Sequence, residues 1–102
     1  MASRNPFTSS RVEDAVAAGQ EALEDSRFEE AATHFQSALR MGPHPMEQEA
    51  IIRCKLSLAF EKRGMNREQM EAVSKYDNFA DFVRLSEQVQ MQVLVRLGWG
   101  HS

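Results

Sequence analysis

The chain has 102 residues, 42% of them apolar, which is enough for one folded domain and too apolar for a disordered one. Twelve basic against fifteen acidic side chains leave a net charge of −3, so there is no basic field to attract nucleic-acid phosphates or an anionic membrane surface. Uncharged apolar runs are short and the opening MASRNPFTSS lacks the apolar core of a signal peptide, which points to a soluble cytoplasmic protein with no membrane span.

Residues 1–9 read as a flexible tail, and from Ser10 onward the apolar residues return at three- and four-residue steps. No alternating strand pattern and no Asn-Gly or Asp-Gly hairpin signal interrupts them, so the expected class is all-α. A short oxygen-bearing side chain three residues before Glu or Gln satisfies free amides at a helix start. Ser10 with Glu13, Ser26 with Glu29 and Asn66 with Gln69 supply three such starts. A first helix over 10–25 places Val12, Ala15, Val16, Ala18, Gly19, Ala22 and Leu23 on one apolar face. A second, over 26–41, alternates Phe28, Phe35 and Leu39 with Ala31, Ala32 and Ala38, and stops at Gly42-Pro43. The third, over 46–63, follows Pro43 and Pro45, buries Ile52, Leu56, Ala59 and Phe60, and closes at Gly64. A fourth helix is expected over 66–80 or slightly beyond, and a fifth, starting near Ser86, over 86–102 with Val89, Val93, Leu94, Leu97 and Trp99. Joints of two or three residues after the first and third helices make each pair an antiparallel hairpin.

Catalytic chemistry is not indicated. His34, His44 and His101 fall on three different elements, with no carboxylate or cysteine at metal-ligand spacing. Cys54 is the single cysteine, so it forms neither an internal disulfide nor a multi-thiolate metal site, and it fits a reducing compartment. Lys55 beside it could lower its pKa, but neighbours on a helix diverge by about 100° and a free cysteine is commonly a small buried hydrophobe. Phosphate-binding, dinucleotide-binding and nucleophile-elbow motifs are all missing from the sequence, and no cofactor is expected. The protein reads as a non-enzyme.

Gly19, then FEEAATHFQSAL with Ala31, Phe35 and Ala38, then Pro43, resembles the first unit of the tetratricopeptide repeat, a helix–turn–helix of roughly 34 residues. In a second unit, KLSLAFEKRG places Leu56, Ser57, Phe60 and Gly64 at the leucine, small, aromatic and turn positions. MEAVSKY is a poorer match, with Gln69, Val73 and Tyr76 where alanine, aromatic and alanine are usual. VLVRLGWGHS, with Leu97-Gly98, resembles the start of a third unit that lacks its second helix. Gly19, Ser57 and Gly98 stand further apart than in the simple repeat, which is similar to the extended subclass in spindle-orientation adaptors that regulate G-protein signalling. The units are about 10–45, 46–85 and a partial 86–102.

The resemblance implies a right-handed superhelix of five helices whose first helices line a concave side that accepts an extended peptide or a partner helix. Carried over position by position, that side presents Glu13, Val16, Gln20 and Leu23, then Cys54, Lys55, Leu58 and Lys62, then Arg96 and Trp99. The partner expected there is an acidic-hydrophobic protein segment. The chaperone-tail subtype is set aside: of its five carboxylate-clamp positions, Val16, Gln20, Lys55, Gln92 and Arg96, only Arg96 agrees. Two alternatives remain open. Asn5, Pro6 and Phe7 resemble the tripeptide ligand of EH domains, which would make the tail prey for endocytic adaptors. A plain helical bundle would serve as a dimerisation module, and the apolar 86–102 helix suits a homodimer or a longer parent array.

Overall fold

In a computed structural model, which describes residues 10–98, the chain runs α1 (Ser10–Glu24), α2 (Phe28–Arg40), α3 (Met46–Lys62), α4 (Asn66–Val73), a 3₁₀ turn (Ser74–Asp77), α5 (Phe79–Phe82) and α6 (Glu87–Leu97). The all-α expectation holds across the described residues. Helices pack in chain order, α1 on α2, α2 on α3 and α3 on α4, while α6 returns to lie on both α3 and α4.

Small residues set the spacing of the first pair. A Cβ at Gly19 would stand 2.6 Å from Phe35 Cε1 and 2.8 Å from Cζ, so the missing side chain lets the two helices close on the ring. Phe35, Ala31 and Ala38 are each 0% exposed. They join Val12, Ala15, Ala22, Ile52, Leu56, Ala59 and Phe60 in a first core. Ala50, Cys54, Val73, Tyr76, Leu85, Val89 and Val93 form a second. Helix α3 supplies both clusters from different faces, so its buried residues form two separate faces instead of one apolar stripe, as suits a helix sandwiched between neighbours. Its buried Ser57 avoids an unpaired hydroxyl by donating to the Gln69 carbonyl at 2.9 Å.

The joints after α1 and α3 have the same backbone. Ser26 (φ 62°) and Gly64 (φ 75°) both take the left-handed conformation. Each is followed by a residue at nearly identical angles, Arg27 at −92°, 74° and Met65 at −94°, 77°. In both, two amides bond back to the helix: Ser26 to Leu23 and Arg27 to Ala22, then Gly64 to Glu61 and Met65 to Phe60. This is a Schellman closure made twice, the second with Met65 packed on the first core beside Phe60.

Four sequence expectations are corrected. Ser26 does not start α2 but ends α1, because its left-handed backbone is needed for that closure; Arg27 holds the cap position without a side-chain cap bond. Asn66 likewise lies inside α4 with Met65 before it, since the same closure fixes where the helix begins. The helix expected over 66–80 breaks at Val73. Ser74 Oγ donates to the Glu71 carbonyl at 3.1 Å and Asn78 Oδ1 accepts from the Ala80 amide at 2.8 Å, so short polar side chains end one helix and begin another. The last helix ends at Leu97 instead of running to 102, closed by left-handed Gly98 (φ 83°) with its amide on Val95. Among the described residues six helices and a 3₁₀ turn therefore replace five helices, and Gly98 terminates a helix where a repeat-like register would place it inside one. Ser86 does cap the last helix, accepting from the Val89 amide at 3.4 Å.

Candidate functional site

Residues 13, 16, 17 and 20 fall on one stripe of α1, and 47, 48, 51, 52 and 55 on one stripe of α3, by the three- and four-residue steps of a helix. Packing through α2 brings these stripes to face each other across an open groove of about 660 Å³ that Pro45 also lines. Its floor is Val16, Ala17, Ile51 and Ile52, and its polar groups are Glu13, Gln20, Glu47, Gln48 and Lys55. Lys55 Nζ donates to Gln20 Oε1 at 2.9 Å, a bond that crosses the groove.

A second hollow of about 290 Å³ lies between α3 and α6, lined by Cys54, Lys55, Leu58, Gln92, Val95 and Arg96. Lys55 belongs to both, so the two form neighbouring stretches of one surface made by α1, α3 and α6. Its charges are partly committed. Arg96, 16% exposed at the side chain, donates to Glu61 Oε1. Glu47 accepts from both the amide and the hydroxyl of Ser86, which pins the start of α6 to the start of α3. Burial pushes the Cys54 thiol up to about 11 against the pull of Arg96 and Lys55, so it stays protonated and unreactive near neutral pH.

Of the residues singled out by sequence, the structure brings together Glu13, Val16, Gln20 and Lys55 in the first groove, and Cys54, Lys55, Leu58 and Arg96 in the second hollow. Lys62 stands exposed in the last turn of α3, two turns beyond Lys55. Leu23 is instead half-buried against the first core. Trp99, and Asn5, Pro6 and Phe7, lie outside the described residues, as does His101. Sequence reasoning missed Ile51, Gln48 and Glu47, although stepping back by three or four from Lys55 along α3 leads to them. His34 is half-buried on α2, and His44 Nε2 lies 2.8 Å from the Ala38 carbonyl, where it closes the end of that helix. Among the described residues no three His, Cys, Asp or Glu side chains are grouped to hold a metal ion, and no helix is long and apolar enough to cross a membrane.

The chain matches no protein-family model, no curated protein and no solved structure.

Proposed function

We propose that the protein is a non-enzymatic interaction module, a short tetratricopeptide-like array that binds a segment of a partner protein and acts as a cytoplasmic adaptor or scaffold. The observation that carries this reading is the continuous surface through Lys55, on which residues chosen from three separate helices meet. The matched joints at Ser26–Arg27 and Gly64–Met65 support the repeat part of it: they are offset along the chain by the same interval as Gly19 and Ser57, the small residues at which the second helix of each pair draws close. An apolar floor rimmed by Lys55 and Arg96 suits an apolar segment carrying carboxylates, which would compete with Gln20 and Glu61 for those cations.

The test is a pull-down with the intact chain, mapping of the bound segment, and titration of that segment against variants. Lys55→Glu should weaken binding at least tenfold with unchanged circular dichroism. Arg96→Gln is the better second change, because Arg96→Glu would set two carboxylates together at Glu61 and disturb the α3–α6 contact. Binding indifferent to both would move the site off this surface, and loss only on deleting residues 1–9 would transfer the function to Asn5-Pro6-Phe7.

Met91, 63% exposed, and Val95, 51% exposed, favour a second reading in which α6 self-associates. Sedimentation across a concentration series checks it: a dimer that Met91→Lys dissociates supports it, and a monomer at every concentration removes it.

A further inference from the structure

Helix α6 has another flank. Leu94 and Leu97 meet Tyr76 and Asp77 of the 3₁₀ turn and Phe79 and Phe82 of α5 around a hollow of about 310 Å³. Five of its six lining residues are apolar or aromatic, and Phe79 is held 77% exposed at its edge. An aromatic side chain kept in water at the mouth of an apolar hollow has the form of a hot-spot pocket more than of a core.

The one charged residue that lines this hollow is acidic. Asp77 lines the hollow and has no ion pair among the described residues. The Tyr76 phenol in the hollow's wall is pushed up to about 12, by burial first and then by Glu49. Lys75, whose Nζ stands 5.6 Å from the Tyr76 ring centre, does not line the hollow and is paired with Glu49 on α3 at 3.6 Å. Arg84, beyond α5, does not line the hollow.

We propose that this hollow is a second docking site, taking a large apolar side chain from a partner protein whose following residues are Lys or Arg. The aromatic walls desolvate the anchor, and Asp77 meets the trailing cation at the rim. Its charge preference is opposite to that of the Lys55 surface, and it does not depend on the repeat reading.

The test is an NMR titration of the isotope-labelled chain with two end-blocked tripeptides, Trp-Lys-Lys and Trp-Glu-Glu, at near-physiological salt. The basic probe should shift amides in 76–82 and 94–97 and bind at least fivefold more tightly than the acidic one. Asp77→Asn should bring the two probes to parity, and Phe79→Ala should weaken both at least threefold; its exposure leaves the cores untouched. Equal affinity of the two probes for the unaltered chain, or shifts spread over the whole surface, would overturn the proposal. Concentration-dependent shifts at the same residues without probe would assign the hollow to a second copy. A tenfold gain in affinity on removing residues 99–102 would assign it to the chain's own end, and either result overturns a partner site.

Discussion

Gly19 and Phe35 show how one absent side chain fixes the distance between two helices. Gly→Ala in a helix interior ordinarily stabilises by about 0.5–1 kcal/mol. Here the sign reverses: Gly19→Ala should cost about 1–3 kcal/mol in urea denaturation, because the ring it meets is fully enclosed. Phe35→Leu added to it should cost less than the two single changes summed. Ala38→Leu should cost about 1–3 kcal/mol for the same reason, read as a lower melting temperature. Cys54 gives a prediction in pH. Folding raises its pKa from the ordinary thiol value to about 11, so the folded state holds its proton more tightly. The associated stability is present below pH 9 and is lost as pH rises through 11, on the order of 2 kcal/mol. Cys54→Ser should flatten that alkaline decline, and a disulfide reagent at pH 8 should label the native thiol only at the rate of opening. The small positions of α2 were legible in sequence because spacing alone exposes them. The Lys55–Gln20 bond was not, since it exists only once α1 and α3 stand side by side.

At the level of elements, the two matched joints predict opposite responses. Ser26 holds a left-handed backbone that a β-carbon disfavours, so Ser26→Gly should raise stability by about 1 kcal/mol. At Gly64 no atom lies within 4 Å of an added Cβ, so Gly64→Ala should lower stability by about 1 kcal/mol through backbone strain alone. Thermal melts of the two variants, displaced to either side of the parent, check both. The stops at Gly42-Pro43 and Gly64 could be read from sequence, since proline and glycine act locally. The break at Val73 could not. Val73 and Tyr76 continue the helical spacing and both are buried, so the apolar pattern is blind to the hydrogen bonds by which Ser74 and Asn78 interrupt the backbone. The site hollow beside Tyr76 was hidden for that reason: it arises from the break.

For the whole molecule, the division of the interior into two clusters matters most. The first is built on α1, α2 and one face of α3, with Ala72 of α4; the second depends on α6 and the short segments after Val73 for one side. Hydrogen exchange should therefore resolve two levels of protection, with amides of α6 opening before those of α2 and α3. Uniform protection across α2, α3 and α6 would mean that the clusters melt as one. The pinning of Ser86 by Glu47 adds to this argument, and Glu47→Ala should speed exchange in α6 while leaving α2 unchanged. Helix α6 also furnishes walls to two surfaces, Val95 and Arg96 on one flank and Leu94 and Leu97 on the other. When it detaches, both lose a wall together. A ligand on either flank would thus draw on the same ordering free energy, and whichever arrived first would spare the other that expense. Two such occupants would be thermodynamically linked with positive sign, each raising the other's affinity by an equal factor, although they would touch no common residue.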